Sequence, residues 1–457
     1  MIIEQYQLPC LSISSYLVGD EKSGKAVVID PQRDIGQYLA DAEERGLTIG
    51  HVLLTHFHAD YVSGHLGLAQ ATGAEIVFGE GAKTEFEIRN LADGERIVLG
   101  DVAIEAWHTP GHTPESTTYL VFENADDEAP HAIFTGDTLF VNDVGRPDLL
   151  GAIGFTAEQL GSMLYDSLNR LKTLPDDVIV YPGHGAGSAC GKALGSDPHT
   201  TIGAQKRDNY ALKPMTKEQF VDIVTEGQPA APAYFLHDAI TNRKVHDVFD
   251  ESQSIPEMPL EEAHRRAGEG EFVIIDTRSP LEFAVGHVRG AVNVPLDGRY
   301  AEQAGMVVSA DQDIVVVGDD GSHIEAMIRL GRIGFDRVVG HVSYYEQSML
   351  SHPSLVAEAP RMVVNDVAGL DLDAVQLLDV RNPGETAEGI IPGAQLIPLA
   401  QLPARAADEL DSGRPVVVYC ASGQRSSVAS SWLRLNGFAD VTDVIGGYNG
   451  WSALTPA

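Results

Sequence analysis

The sequence predicts a multidomain α/β protein, in which a large layered N-terminal domain is followed by two small α/β domains. Three observations support this prediction. The chain has 457 residues, enough for several domains of ordinary size. Its N-terminal half contains many short apolar strands that end in His, Asp or Gly. Its C-terminal half contains an internal repeat.

The short strands of the first 245 residues predict one layered domain. They include SISSYLVG, KAVVID, HVLLTH, AEIVFG, VAIEAWH, HAIFTGD and VIVYPGH. Polar side chains that directly follow strands collect at one edge of a sheet, where ligand sites of layered α/β folds usually lie. We therefore expect one domain over residues 1–245, with a ligand site at the strand ends.

The repeat is clearest between residues 272–296 and 375–399. Both segments contain an apolar strand, Asp-x-Arg, a polar turn, Gly-Ala and a closing Pro-Leu. A second buried strand follows each copy, and strand–helix alternation of this kind predicts parallel α/β units. Polar, proline-containing linkers precede and separate the copies. The expected small domains are residues 256–352, the first copy, and 360–457, the second copy.

The charge and cysteine content argue against several classes of protein. Lys and Arg number 31 against 66 Asp and Glu, a formal net charge of −35. So acidic a chain is poorly suited to binding nucleic acid or an anionic membrane surface. Cys10, Cys190 and Cys420 are far apart in the sequence and form no disulfide framework. Since no signal peptide or membrane-spanning run is recognisable, we expect a cytoplasmic protein, with a homo-oligomer left open.

Six candidate metal ligands directly follow predicted strands of the N-terminal domain. They are His56, His58 and Asp60 in THFHAD, His112 in TPGHT, Asp137 in FTGD and His184 in YPGHG. An isolated histidine is usually a packing or surface residue, but this many at strand ends predicts a metal centre. Imidazole and carboxylate suit Zn, Fe and Mn, and the set contains no cysteine to indicate a structural zinc site.

In order and spacing, these motifs resemble the metallo-β-lactamase superfamily over about the first 240 residues. The resemblance implies an αββα sandwich. Most dinuclear members have a histidine after the aspartate of the HxHxD motif, where this chain has Tyr61. A phenol is a poor ligand near pH 7 because its pKa is about 10. A second metal held by Asp60, residue 61 and His184 is therefore disfavoured, and one metal per chain is expected.

Within the superfamily, the GRPDL segment resembles the persulfide dioxygenase branch, the relatives of the ethylmalonic encephalopathy protein. That branch uses one non-haem Fe(II). The resemblance implies that His56, His112 and Asp137 hold the iron, whereas spacing alone does not choose between His56 and His58. Two imidazoles and one carboxylate leave positions open for O₂ and a sulfur anion.

The same resemblance implies roles for the residues around the iron ligands. Arg146, in GRPDL, would clamp a substrate carboxylate, the alternative being a structural ion pair. The remaining polar groups would orient the ligands and steer bound water or substrate; they are His58, Asp60, Tyr61 and His184.

Cys190 lies six residues after His184 in a stretch rich in Gly, Ala and Ser, from which its thiol could reach the metal pocket. Lys192 is expected to favour the thiolate. Two alternatives stay open: Cys190 takes up or relays sulfane sulfur beside the iron, or it is inert. We interpret Cys10 as a packing residue.

Cys420 opens the loop CASGQRSS between a buried strand and a predicted helix. Consecutive backbone N–H groups and the positive end of the helix favour thiolate there and can hold a persulfide. Arg425 adds positive charge for an anionic sulfur donor. The loop resembles the active loop of rhodanese sulfurtransferases, and the downstream IGGYNGW segment, with Gly446, Gly447 and Trp451, is similar to that family too.

The first copy departs from this pattern. Aligning its GDDGSH segment with the active loop is expected to place Asp319 at the position of Cys420 and Ile324 at that of Arg425. A carboxylate cannot carry a persulfide. Residues 256–352 are therefore predicted to be a catalytically silent rhodanese homology domain, acting as a spacer or docking platform.

Together the resemblances imply a persulfide dioxygenase fused to a sulfurtransferase, as in bacterial sulfide detoxification. The implied partners are glutathione persulfide or another low-molecular-weight persulfide, O₂, and sulfite or thiosulfate. One alternative is a metal-dependent thioester hydrolase of the glyoxalase II type, which expects two metals. Another is a non-enzymatic sulfur carrier or sensor with a vestigial metal site.

Overall fold

The computed structural model describes residues 1–149 and 154–454. The chain divides into two compact units. The first comprises Met1–Pro229 and Phe235–Phe249, and the second comprises Ala230–Tyr234 and the residues from Asp250 onward. The limits of the three predicted domains stay predictions. Among the described residues, no helix has the length and apolar character required to span a bilayer.

The first unit contains two six-stranded sheets. The first has the order β1-β2-β3-β4-β5-β6, and the second has the order β12-β11-β10-β9-β8-β7. The strands are β1 (Ile2–Leu8), β2 (Ile13–Asp20), β3 (Lys25–Ile29), β4 (Thr48–Leu53), β5 (Glu75–Gly79), β6 (Arg89–Leu91), β7 (Arg96–Val98), β8 (Ala103–His108), β9 (Thr117–Phe122), β10 (Ala132–Gly136), β11 (Ile179–Pro182) and β12 (Thr200–Thr201).

In the part of this unit that the structure describes, six α-helices accompany these sheets. They are α1 (Gly36–Glu44), α2 (His65–Thr72), α3 (Ala157–Leu171), α4 (Ile202–Asp208), α5 (Lys217–Thr225) and α6 (Tyr234–Thr241). The helix α3 begins at a capping box, in which Thr156 and Gln159 each satisfy a backbone N–H of the other residue.

The two sheets pack face to face. A single buried cluster contains Val27 and Leu53 of the first sheet together with Ile104 and Val121 of the second. Helices cover the outer faces, since Tyr38 of α1 packs on the first sheet, and Leu164 of α3 and Phe220 of α5 pack on the second. The layers are therefore α, β, β and α, as expected. This arrangement places the ends of β4, β8, β10 and β11 near one another.

The second unit contains the two repeat copies, each built on a parallel sheet. The sheet of the first copy has the order β15-β13-β16-β17, that of the second copy has the order β19-β23-β22-β20-β21, and β14 pairs with β18. The strands are β13 (Val273–Asp276), β14 (His287–Val288), β15 (Val292–Asn293), β16 (Ile314–Val317), β17 (Val338–Val342), β18 (Val356–Ala357), β19 (Arg361–Val363), β20 (Gln376–Asp379), β21 (Gln395–Leu396), β22 (Val416–Tyr419) and β23 (Val441–Ile445).

Up to residue 454, the last described, ten α-helices complete the second unit. They are α7 (Leu260–Gly268), α8 (Pro280–Val285), α9 (Tyr300–Val307), α10 (Ser322–Gly331), α11 (Tyr345–Ser351), α12 (Val364–Val367), α13 (Pro383–Ala387), α14 (Leu402–Glu409), α15 (Gln424–Leu435) and α16 (Gly447–Leu454).

The Asp-x-Arg motif has the same role in both copies. Arg278 Nη2 lies 2.6 Å from Asp276 Oδ2, and Arg381 Nη2 lies 2.7 Å from Asp379 Oδ2; both pairs are buried. Each guanidinium also donates to the carbonyl oxygen of a glycine eight residues further on, in Gly286 and Gly389. The motif therefore ties the ends of β13 and β20 to the end of the helical segment that follows each strand.

Candidate metal centre and active-site thiol

The strand ends of the first unit bring together two histidines and one aspartate. His56 follows β4, His112 follows β8 and Asp137 follows β10. One potential ligand atom of each lies within 4.8 Å of the others, and all three side chains are buried. Asp137 Oδ2 is 3.4 Å from His112 Nε2 and 4.0 Å from His56 Nε2. This spacing matches donors that converge on one ion.

Hydrogen bonds leave the inward-facing nitrogen of each histidine available as a ligand. His112 Nδ1 donates to the carbonyl oxygen of Arg146 at 2.9 Å. His56 Nδ1 lies 2.9 Å from Thr55 Oγ1, whose own proton goes to Asp30 Oδ2 at 2.7 Å. Nδ1 must therefore be the donor there. Such partners select the tautomer in which Nε2 carries a lone pair.

The carboxylate of Asp137 is unusual because both of its oxygens are buried without a hydrogen-bond partner. Burial raises the pKa of Asp137, but the facing histidines His184, His112 and His56 lower it by more, so the net shift is downward. A buried carboxylate without hydrogen bonds is costly unless a cation compensates its charge. The donor set, His56, His112 and Asp137, therefore fits a divalent metal.

The structure distinguishes the role of His56 from that of His58, which the spacing in the sequence alone could not do. His58 Nε2 lies 3.0 Å from Asp30 Oδ1, so His58 is turned toward Asp30. The sequence reasoning missed Asp30, which also accepts hydrogen bonds from the backbone and hydroxyl of Thr55. Its signal was the motif VVIDP, another polar residue directly after a buried strand.

A second group of donors lies next to the first. One potential ligand atom each from Asp60, His184 and Cys190 lies within 4.8 Å of the others. His184 Nε2 is 3.5 Å from Asp60 Oδ2 and 3.3 Å from Asp137 Oδ1. Tyr61 is outside both groups because its hydroxyl donates to the carbonyl oxygen of Asp30 at 3.1 Å.

The expectation that Lys192 favours a thiolate at Cys190 is wrong. Lys192 Nζ donates to the carbonyl oxygens of Ile223 and Glu226. The Cys190 side chain is only 1% exposed. Burial, with added repulsion from the charges of Asp60 and Asp137, raises its pKa to about 12. The surroundings of Cys190 therefore favour the thiol over the thiolate.

Arg146 is buried, and every nitrogen of its guanidinium donates within the protein. Nε and Nη2 form a bidentate pair with Asp148 at 2.6 and 2.7 Å. Nη1 donates to the carbonyl oxygens of Ala189 and Pro229. This geometry favours the structural ion pair over the substrate clamp.

Cys420 lies where the strand β22 meets the helix α15. The N–H of Gly423 donates to Cys420 Sγ at 3.1 Å, and Ser426 Oγ is 3.7 Å from the same sulfur. Gly423 has a φ of 110°, a conformation that L residues rarely adopt, which turns the loop back over the sulfur. The thiol therefore lies at a helix N-terminus, where it accepts from Gly423 N and donates to Ser426 Oγ.

The IGGYNGW segment forms hydrogen bonds to the backbone of this loop. Tyr448 N donates to the carbonyl oxygen of Cys420 at 2.8 Å, and Asn449 N donates to that of Ala421 at 3.0 Å. A Cβ on Gly447 would lie 2.2 Å from the carbonyl oxygen of Cys420, so only glycine allows this close approach. The IGGYNGW segment therefore holds the active loop in place through its backbone N–H groups.

The positive charge of Arg425 is compensated within the second copy. Its Nη1 and Nη2 donate to the two carboxylate oxygens of Glu385, in α13, at 2.7 and 2.6 Å. Although burial raises the pKa of Glu385, the ion pair with Arg425 lowers it by more. An anionic sulfur donor approaching Arg425 would therefore encounter the Arg425–Glu385 ion pair and not an isolated positive charge. Sequence reasoning missed Glu385. The sequence indicates this residue only by its position in the polar turn after Asp-x-Arg, which occurs in both copies.

The alignment of the first copy expected from the sequence is wrong by one residue. Asp276 pairs with Val317 in one sheet, and Asp379 pairs with Tyr419 in the other. The position of Cys420 therefore belongs to Gly318.

By the same register, His323, and not Ile324, occupies the position of Arg425. A Cβ on Gly318 would lie 2.1 Å from Thr277 Oγ1. The first copy thus has no thiol at this position and no room for one without displacing Thr277.

Comparison with known proteins agrees with this architecture. The family model described as the metallo-beta-lactamase superfamily matches residues 8–184. A hydroxyacylglutathione hydrolase of Hyphomonas neptunium is 30% identical over 272 residues, covering 58% of this chain and 92% of the relative. The chain belongs to the metallo-beta-lactamase superfamily. The rhodanese-like domain model matches twice more, at residues 259–349 and 367–454.

Two solved structures extend the comparison. A metallo-beta-lactamase from Staphylococcus aureus subsp. aureus COL has a TM-score of 0.68 and 33% identity, covering 74% of this chain and 98% of the other. ETHE1 from Myxococcus xanthus has a TM-score of 0.45 and 31% identity, covering 53% and 100%. The predicted fold class is confirmed: a metallo-beta-lactamase domain is followed by two rhodanese-like domains.

Proposed function

We propose that this protein is a non-haem iron persulfide dioxygenase fused to a sulfurtransferase, acting in the cytoplasm. The observation that carries the proposal is the buried set His56, His112 and Asp137, two imidazoles and a single carboxylate. This ligand set is typical of Fe(II) oxygenases. The Tyr61 hydroxyl donates a hydrogen bond to the carbonyl oxygen of Asp30, and this supports a single catalytic metal.

In the proposed oxidation, R–S–SH, O₂ and H₂O give R–SH, sulfite and two protons. The terminal sulfur loses four electrons and O₂ gains four, so no further reductant is needed. One Fe(II) held by His56, His112 and Asp137 would supply binding of O₂ and of the sulfur anion, and the redox chemistry between them.

The protein's own residues would prepare this site in two ways. The carbonyl oxygen of Arg146 and the pair formed by Thr55 and Asp30 hold the ligand imidazoles in one tautomer and orientation. The pocket residues are buried, with His56 and His112 exposing almost no surface. Low exposure limits the access of water, which protects reactive intermediates from side reactions.

The second proposed activity is sulfur transfer at Cys420. The Cys420 persulfide, Cys–S–S⁻, reacts with sulfite to give Cys–S⁻ and thiosulfate, so one S–S bond breaks as another forms. The reverse transfer would load Cys420 from thiosulfate. The Gly423 N–H, 3.1 Å from Sγ, and the N-terminus of α15 supply donors that favour anionic sulfur.

The proposal is tested by anaerobic purification, metal quantitation and O₂ uptake with several low-molecular-weight persulfides, glutathione persulfide included. We expect one iron per chain and one sulfite or thiosulfate formed per O₂ consumed. A protein that binds paired zinc ions, cleaves thioesters and consumes no O₂ would contradict the proposal. Absence of any turnover would instead support a carrier or sensor.

Cys190 is proposed as an acceptor of the terminal sulfur beside the iron. In that step Cys190–SH and R–S–SH give Cys190–S–SH and R–SH. Its position next to Asp60 and His184 supports this role, although the raised pKa of the thiol opposes it. We expect Cys190→Ser to change the ratio of thiosulfate to sulfite formed. Unchanged O₂ uptake and an unchanged ratio, measured by ion chromatography, would remove Cys190 from the mechanism.

A second candidate function is thioester hydrolysis of the glyoxalase II type. The name of the Hyphomonas neptunium relative, hydroxyacylglutathione hydrolase, favours it. The adjacent donors Asp60, His184 and Cys190 offer a place for a second ion. Hydrolysis of S-lactoylglutathione, followed at the thioester absorbance in the same preparations, distinguishes this function from oxygenation.

A further inference from the structure

The helix that begins at the active loop, α15, does not pack only within its own domain. It lies against β15 and α9 of the silent rhodanese-like domain, and the side chains that face β15 are small and hydroxylated. Ser427 and Ser431 occupy this face one turn apart, and both are buried. This contact joins the two rhodanese-like domains immediately behind the active loop.

One residue of the silent domain, Asn293 in β15, forms the centre of the contact. Its backbone N donates to Ser431 Oγ at 2.9 Å, and its Oδ1 accepts from Ser427 Oγ at 2.6 Å. Its Nδ2 donates to the carbonyl oxygens of Asp276 and Arg278. Asn293 therefore connects α15 to the Asp-x-Arg turn of its own domain through buried hydrogen bonds.

Asn293 has no counterpart in the second copy. The two sheets have the same register at this point, since Asp276 pairs with Asn293 and Asp379 pairs with Leu396. Leu396 is 41% exposed, whereas Asn293 is completely buried. A buried polar side chain is costly unless its partners are present. The Asn293 side chain thus bonds Ser427 on α15 as well as two carbonyl oxygens of its own domain, which the apolar side chain of Leu396 could not do.

A second contact ties the loop itself to the silent domain. Gln424, the first residue of α15, donates from Nε2 to the carbonyl oxygen of Asp297 at 3.0 Å. Gln424 follows Gly423, whose N–H is bonded to Cys420 Sγ. Both ends of the first two turns of α15, at Gln424 and at Ser431, are therefore held by the silent domain.

We propose that the silent rhodanese-like domain is a working part of the sulfurtransferase site, in which Asn293 is a positioning residue for α15 and the Cys420 loop. The inference rests on the proposed sulfur transfer at Cys420. A shift of α15 would move Gly423 N away from Cys420 Sγ. Since an N–H donor stabilises sulfur only at short range, the thiolate would then lose this support. The silent domain would then be retained for alignment of the loop and not as a spacer.

The test uses the full chain with alanine at Ser427, at Ser431, or at both. The matched control is Ser430→Ala, because Ser430 lies on the same helix, is equally buried and its hydroxyl has no hydrogen-bond partner. Two quantities are measured: kcat and KM for thiosulfate-dependent sulfur transfer, and the rate at which iodoacetamide alkylates Cys420 at neutral pH, followed by mass spectrometry of its peptide.

We expect Ser427→Ala and the double variant to lower kcat about tenfold with little change in KM, since a small displacement of a reacting group is costly. Alkylation of Cys420 should slow in parallel, while Ser430→Ala resembles the parent chain. Equal kcat and equal alkylation rates in the double variant and Ser430→Ala would overturn the proposal. If the double variant does not fold, Ser427→Ala alone decides.

The alkylation rate also separates this inference from the proposed function. A parent chain without sulfur transfer would refute the proposed reaction at Cys420. Even then, the alkylation rates of Cys420 in Ser427→Ala and Ser430→Ala would decide whether the silent domain positions this thiol.

Discussion

Cys420→Ser is expected to abolish sulfur transfer while leaving persulfide-dependent O₂ uptake largely intact. The hydroxyl cannot form the persulfide that the transfer requires, so the activity should fall by at least about a thousandfold. The substitution is nearly isosteric and leaves the support from Gly447 and Tyr448 in place. Thiosulfate:thiol sulfur exchange and O₂ consumption are measured on the same preparation.

The matched control for this variant is Cys10→Ser, the same substitution at a half-buried residue of the other unit. It should leave both activities unchanged. Loss of both activities in Cys420→Ser would show that oxidation and transfer are not separable. Retained sulfur exchange would show that another thiol carries the sulfur.

Asp137→Asn is expected to remove the metal and with it the oxidation. The substitution replaces the carboxylate of the ligand set, whose two oxygens have no hydrogen-bond partner, by a neutral amide. Without that charge, two neutral imidazoles bind a divalent ion much more weakly. We expect iron content and O₂ uptake to fall at least about a hundredfold, since even partners outside the ligand set contribute 10–100-fold. Sulfur transfer at Cys420 should persist.

Elemental analysis after anaerobic reconstitution with Fe(II) checks this prediction, and Asp177→Asn, at an exposed position of the same unit, is its control. An Asp137→Asn protein that keeps a full equivalent of iron would show that the metal is held elsewhere. The neighbouring donors Asp60, His184 and Cys190 would then be the next ligands to replace.

The fold was predictable from the sequence because strand and repeat patterns are local. The two parallel sheets follow from buried strands that appear directly as apolar runs. The αββα layers were predicted from the resemblance of the His and Asp motifs to the metallo-β-lactamase superfamily. The approach of His56, His112 and Asp137 was also accessible, since each follows a strand and such ends meet at a sheet edge.

The remaining details depend on contacts between segments distant in the chain. His58 is distinguished from His56 by Asp30, at the end of another strand. The environment of Cys190 depends on where Lys192 finds acceptors, in the segment around Ile223. Sheet register assigns Gly318 to the position of Cys420, and direct alignment of IVVVG with VVVYC gives the same result, so this assignment was available from the sequence.

The crowding of Gly318 by Thr277 has a consequence for attempts to engineer the first copy. A cysteine introduced at Gly318 would place its Cβ 2.1 Å from the threonine hydroxyl, so Thr277 would have to shift or be substituted at the same time. That hydroxyl is itself anchored to the carbonyl oxygen of Val317. A single substitution at Gly318 would therefore strain this site. We expect a designed thiol there to need a smaller residue at Thr277 as well.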